Sequence, residues 1–332
     1  MGVIKKDVEN MIAKKISTMK NTAFVNSMWI EFDDKIKNIK NFDTVIVYSG
    51  FDWESTNDIM TRRMAHRFLE KNNKRVVHIG NTYGKNYFSF WLYFVYKNLH
   101  TFLPKNINIG LEENHKSYMC LNRKPHKHRI ELVDQLHNHK LIEKGYVTLG
   151  FDKIAKNKTE LQLPLILDVE QASTPGADQW HFSDYESMPE ADTSDTFGIP
   201  ADITSLGNVN IWNKHFLNVV TETVVHSDVF VSEKTYKPIL GLRPFVILGD
   251  NKIYDVLHDF KIDTFDDLFG TWYKEKNYKD RISEIINVVQ KIESLGMKKR
   301  HKLYKKLEPR LVKNQSVLIE QAKKFQVQIN ID

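Results

Sequence analysis

The stretch Val231–Asp250, VSEKTYKPILGLRPFVILGD, sets an acid and a base side by side at the mouth of a short apolar helix. Ser232 is an N-cap type, because its hydroxyl can accept from a free helix N–H. Gly241 stands where a C-cap glycine would. Pro238 lies deep enough inside the helix to kink it. A helix N-terminus offers unpaired N–H groups and a positive dipole end, which suit a diphosphate. Lys234 and Lys237 add charge. Glu233 cannot favour a phosphate, but a carboxylate beside a phosphate site accepts the hydroxyls of a ribose in dinucleotide sites. The pattern therefore reads as nucleotide recognition, with Ser232, Glu233, Lys234, Thr235 and Lys237 as its candidate residues. The alternative is a solvated helix start with an i,i+4 pair between Glu233 and Lys237.

Two more constellations sit where strands end. CLNRKPHKHR (Cys120–Arg129) has six Arg, Lys or His among ten residues and follows a strand-like run. In open α/β sheets ligands sit at the carboxyl ends of strands, so Arg123, Lys124 and, further along on a helix, Arg129 are candidate anion contacts. A basic surface loop or a nucleic-acid patch is the alternative. His126, His128, His137 and His139 suggest metal, but no acid or Cys completes a known ligand spacing. SGFDWES (Ser49–Ser55) places Asp52 and Glu54 after the first strand-like run. Either could take a proton from a hydroxyl, and Asp52 or Ser55 could equally be a helix N-cap. The loop HIGNTYGKN (His78–Asn86) offers Asn81, Tyr83 and Lys85 as contacts, or is a plain turn. The chain has no P-loop, no G-x-G-x-x-G and no Asp-x-Asp, which argues against ATPase and dinucleotide dehydrogenase readings.

SEKTYKPILGLRPFVILG resembles the donor-site signature of glycosyltransferases of the two-Rossmann GT-B fold. It is most similar to the alpha-1,3-fucosyltransferase and exostosin-like pattern, in which an acid–Lys pair opens a helix and a small-residue turn leads through G-x-x-P to an apolar strand. The resemblance spans Asp228–Ile253, with weaker support at Tyr118–Arg129. It implies that Glu233 contacts the nucleotide ribose and Lys234 the diphosphate. It also implies that the loop carrying Arg123 and Lys124 faces the cleft and holds donor phosphates. Lys237-Pro238 and Leu242-Arg243 depart from the small or apolar residues many relatives carry there.

The elements that must position these residues follow from periodicity. Residues 4–40 show helical spacing without proline. FDTVIVYSG and RVVHIGN are β-branched runs closed by glycine turns, with a helical stretch between them: the rhythm of a parallel α/β sheet. The aromatic Tyr83–Leu103 reads as a buried helix. SYMCLNR, GYVTLGF, FLNVVTETV and FVILGD read as further strands. From Lys279 onward the chain reads as charged helices interrupted at Gly296 and Pro309. Taken with the resemblance, which implies the GT-B architecture, the expected fold class is α/β, GT-B-like: two Rossmann-like domains with a cleft between them and a helical C-terminal tail. The expected division is 1–113 on the acceptor side, 114–278 for the nucleotide-sugar donor, and 279–332 as helices folding back on the first domain.

Composition bounds the function. A 332-residue chain, 41% hydrophobic and 27% charged, is ordinary for a soluble protein of two domains. The single Cys120 excludes an internal disulfide and a multi-cysteine zinc site. No signal peptide, myristoylation signal or bilayer-length apolar run is present, so the expected location is the cytoplasm (the host cytoplasm for a viral protein) with no membrane partner. The segment 164–213 has nine acids and neither Lys nor Arg. Taking those nine from a chain of net +6 leaves +15 on the other 282 residues. It reads as a long surface insert.

The expected activity is metal-independent transfer of a sugar from a nucleotide sugar, UDP- or GDP-linked, to an acceptor hydroxyl. No cofactor is expected. The charge asymmetry, the small size and the lack of an anchor favour 5-hydroxymethylpyrimidine in DNA as acceptor, a viral DNA modification; the alternative is a glycan. A rival from another class is a non-catalytic nucleic-acid-binding protein.

Overall fold

The structure is a computed structural model, and it describes residues 22–26, 44–48, 75–80, 87–89, 92, 95–96, 98–103, 108–122, 125–150, 206, 209–225, 229–274 and 277–328. The chain divides into two compact units, one of Met1–Trp91 with Asp192–Gly198 and the other of Leu92–Ala191 with Ile199–Asp332; the division expected from sequence lies at 113.

The described part of the first unit is a four-stranded parallel sheet in chain order: β1 (Thr22–Asn26), β2 (Thr44–Tyr48), β3 (Arg75–Gly80) and β4 (Tyr87–Ser89). Thr22 pairs with Thr44, Thr44 with Arg75 and His78 with Tyr87. TVIVY and RVVHIG are the near-continuous apolar runs that parallel strands require. Two expectations need correction. The helical reading of 4–40 is broken by β1, whose Thr, Phe and Val favour a pleated strand. The helix expected over Tyr83–Leu103 gives way to β4 at its start, where Tyr and Phe favour strand; further on, residues 92, 95 and 96 and the one-turn α1 (Leu99–Phe102) are helical, with Leu92, Val95 and Phe102 buried as expected.

The second unit carries another four-stranded parallel sheet, in order β6-β5-β7-β8. Its strands are β5 (Lys116–Asn122), β6 (Gly145–Leu149), β7 (His215–Thr221) and β8 (Phe245–Leu248). Every residue of β7 and β8 is buried, as expected for parallel strands covered on both faces. Between the strands lie α2 (Lys127–Asn138), α3 (Val209–Asn213) and α4 (Glu233–Leu240), and after β8 come α5 (Ile253–Asp259) and α6 (Asp266–Phe269). α3 corrects the surface-insert reading at the acidic segment's end: Ile211 and Trp212 are core residues.

The terminal helices are α7 (Tyr278–Ser294) and α8 (Gly296–Gln328). Asn277 caps α7 by accepting from the Lys279 N–H at 3.0 Å. Gly296, at φ +68°, takes the left-handed turn between them at no steric cost. Pro309 does not interrupt α8, contrary to expectation. The helix is held through that point by Tyr304, Leu307, Leu311 and Leu318, buried at three, four and seven residue spacing. α7 packs on α2 and β8, and α8 on α4, β5 and β7. Arg243, fully buried at the entry to β8, ties the layers together. It donates to the Tyr304 hydroxyl at 3.0 Å and to the carbonyls of Leu242, Gly110 and Trp212. Burial pushes its guanidinium down to about 10, and the Tyr304 hydroxyl opposes that shift.

Candidate functional site

In the second sheet the chain runs from β5 to β6 on one side, then returns to β7 on the other. Strand order therefore reverses between β5 and β7, and ligands of open α/β sheets sit at the carboxyl ends of strands beside such a switch point. Residues 123 and 124 follow β5, and Glu222 follows β7.

Glu222 is fully buried. Its main chain is fixed on both sides: its N–H donates to Leu248 O at 2.9 Å, and its carbonyl accepts from His128 Nε2 at 2.8 Å. Oε1 accepts from the Ser232 N–H at 2.9 Å and the Thr235 hydroxyl at 2.6 Å, and Oε2 accepts from the Ser232 hydroxyl at 2.6 Å. Beneath it lies a web of buried polar groups. Asn122 donates to Thr148 O at 3.1 Å and accepts from the Thr221 hydroxyl at 2.5 Å. Cys120 is part of this web, and burial pushes its thiol up to about 11, too high for a nucleophile at neutral pH.

α4 starts where its residues dictate. Ser232 has extended backbone, and its hydroxyl accepts from the Lys234 N–H at 3.3 Å, the N-cap expected from its type. Pro238 lacks an N–H, and the helix ends within three residues at a Schellman turn: Arg243 N–H to Pro238 O at 2.8 Å and Leu242 N–H to Ile239 O at 3.4 Å. The left-handed residue is Leu242 at φ +51°, not Gly241. Gly241 is required for a different reason, since a Cβ there would run into the Trp212 ring.

The five residues proposed on this helix divide by facing. Ser232 and Thr235 turn inward to Glu222. Glu233 and Lys234 form the mouth, with Lys234 Nζ 2.8 Å from Glu233 Oε1. Glu233 is only 5% exposed, so the helix start is not solvated there as the alternative reading has it. Its Oε2 is buried and has no hydrogen-bond partner among the described residues. Burial alone pushes this carboxyl up, but Lys234 and then Lys237 outweigh it and hold the group below the ordinary carboxylate range. Lys237 lies one turn further on and is half-buried. The pairing is thus Glu233–Lys234, with Lys237 adding field.

Arg129 lies in the first turn of α2 and is 3% exposed, with Nη2 donating to Thr221 O at 3.1 Å. Its observed task, like that of His128, is to fix the end of β7 that carries Glu222. Arg123, Lys124, Asp52, Glu54, Asn81, Tyr83 and Lys85 lie outside the described residues. Among the described residues, no group of three or more His, Cys, Asp or Glu is placed to hold a metal ion, and no helix is long and apolar enough to cross a membrane.

Sequence reasoning missed Glu222. The one available signal was an acid at the first position past the strand-like run HFLNVVT, ten residues ahead of Ser232. Chemically, the mouth presents one unpaired carboxylate oxygen and one ammonium on neighbouring residues, a donor–acceptor pair for a hydroxyl beside a phosphate.

No protein-family model matches the chain, and no curated protein matches it. Among solved structures, a crystal structure of an alpha1,3-fucosyltransferase is similar over 90% of this chain and 92% of that one, at 12% identity and a TM-score of 0.33. A likeness of that degree carries no functional weight.

Proposed function

We propose that the chain is a nucleotide-sugar-dependent glycosyltransferase whose second unit binds the donor. The observation that carries this reading is the buried, unpartnered Oε2 of Glu233 beside Lys234. A buried acceptor left without a donor costs about 1–3 kcal/mol. A ribose hydroxyl donating to it would recover that cost, and the neighbouring Lys234 ammonium would meet a phosphate of the same ligand. Together with the resemblance of SEKTYKPILGLRPFVILG to glycosyltransferase donor sites, this favours a UDP- or GDP-linked sugar.

In the proposed reaction, the acceptor hydroxyl oxygen bonds to the anomeric carbon as the bond to the diphosphate oxygen breaks. Asp52, or Glu54 in its place, takes the hydroxyl proton. Lys234, Lys237, Arg123 and Lys124 stabilise the departing nucleoside diphosphate without a metal ion. Asn81, Tyr83 and Lys85 contact the acceptor.

For the acceptor, the net +15 outside the acidic segment favours hydroxymethylpyrimidine in DNA over a glycan. DNA contact predicts a log–log salt slope of about −0.9 per phosphate neutralised; a flat dependence and no transfer to hydroxymethylated DNA would move the acceptor to a glycan. A purely nucleic-acid-binding role leaves the Glu233 oxygen without a ligand. The test is thermal melting with UDP, GDP or unmodified duplex DNA. The proposal expects a nucleoside diphosphate to raise the melting temperature; a rise with duplex alone would overturn it.

A further inference from the structure

Glu222 carries a full buried carboxylate whose three donors are all uncharged: one main-chain N–H and two hydroxyls. Its backbone is anchored to β8 and α2. Gly249 lies alongside its side chain, in ordinary van der Waals reach of Glu222 Cβ and Cγ. The carboxylate is thus held from one side and grips α4 from the other, at Ser232 and at Thr235. Glu233 and Lys234 lie between those two grips, so their orientation follows from it.

We propose that Glu222 is a positioning residue: it fixes the first turn of α4 so that Glu233 Oε2 and the Lys234 ammonium face a ligand together. What is positioned rests on the nucleotide-sugar reading; the positioning itself rests on the hydrogen bonds. A second consequence concerns charge. A helix N-terminus carries roughly half a positive charge, and here Glu222 already takes it up. A bound diphosphate is then held by lysine and arginine side chains, not by the helix end.

The comparison of Glu222→Gln with Glu222→Ala isolates the effect, because both remove the charge. Gln keeps an oxygen for the Ser232 N–H and the Thr235 hydroxyl, and its amide donates to Ser232 Oγ; Ala keeps none of these. UDP and GDP are titrated by calorimetry into each folded variant, and amide exchange is followed over residues 232–236. Glu222→Gln is expected within about threefold of wild-type affinity, and Glu222→Ala about tenfold weaker or more, with amide exchange faster by a similar factor. Equal affinity and equal exchange in the two variants would overturn the proposal. If wild type binds neither nucleotide, the nucleotide reading fails separately, and exchange decides the positioning: faster in Ala than in Gln supports it, equal rates overturn it. If Glu222→Ala does not fold, Thr235→Val replaces it, severing one grip and keeping the carboxylate. Faster exchange over the first turn is then expected, and wild-type exchange overturns the proposal.

Discussion

Lowering the pH from 7.5 to 5.5 should destabilise the protein through His215. This residue opens β7 and is fully buried. Nδ1 donates to Ile211 O at 2.7 Å, and Nε2 lies 3.4 Å from Asn218 Nδ2, an amide donor, so the ring is neutral. Trp212 lies 5.4 Å away, ring to ring. Burial holds its pKa well below the ordinary value; Arg243 and His115 push the same way, and the Ile211 carbonyl opposes them. His115, before β5, is also lowered by burial, against the Glu112 carbonyl it donates to at 2.8 Å and with the Arg300 guanidinium 3.5 Å from its Nε2. In the unfolded chain a histidine gains its proton as pH falls through about 6.5. Below that point the unfolded chain binds more protons than the folded one, so stability is complete above about 6.5 and is lost as pH falls further. A histidine that stays neutral in the fold gives up about 1.4 kcal/mol by pH 5.5. His215→Asn keeps an N–H for Ile211 O but cannot titrate. Urea denaturation followed by tryptophan fluorescence at pH 7.5, 6.5 and 5.5 should show wild type losing about 1–1.5 kcal/mol more than the variant. Parallel profiles for the two proteins would refute the reasoning.

Other outcomes follow from the same geometry. Gly241→Ala places a methyl group in the Trp212 ring and should cost about 1–3 kcal/mol of overpacking, read as a lower melting temperature. Arg310 donates to Asp263 at 2.6 and 2.9 Å and to Asp267 at 2.7 and 2.9 Å, and stacks over Phe265; since the pair is partly exposed, Arg310→Ala should cost only about 1 kcal/mol in denaturant titration. With lysines and arginines as the proposed counter-charges, sugar transfer should survive EDTA; complete loss restored by Mn²⁺ or Mg²⁺ would contradict the proposed mechanism.

Local chemistry made much of the second sheet legible. The runs at β6, β7 and β8 are rich in β-branched residues, and Ser232 announces the start of α4 because capping depends on residues within one turn. What depends on distant contacts was not legible. Strand order within the sheet needs pairings between residues about a hundred apart, such as Tyr118 with Leu217. Glu222 looks like the polar end of a strand until Ser232 is folded over it. Arg129 looks like a surface cation in a basic stretch, yet the Thr221 carbonyl takes it inside. Gly241 was legible as a helix stop, but for a reason the fold replaces: the close approach of Trp212, with Leu242 absorbing the left-handed turn. Pro309 was misleading because the core contacts of α8 outweigh one missing hydrogen bond.

Calorimetric titration of UDP and GDP into wild type and Glu233→Ala tests the central claim most directly. If the unpaired Oε2 is a ribose acceptor, one of the two nucleotides binds wild type, and the variant binds it about tenfold to a hundredfold more weakly, the equivalent of a charged hydrogen bond of about 1.5–3 kcal/mol. Binding of equal strength by wild type and variant, or no binding of either nucleotide to wild type, would contradict the account.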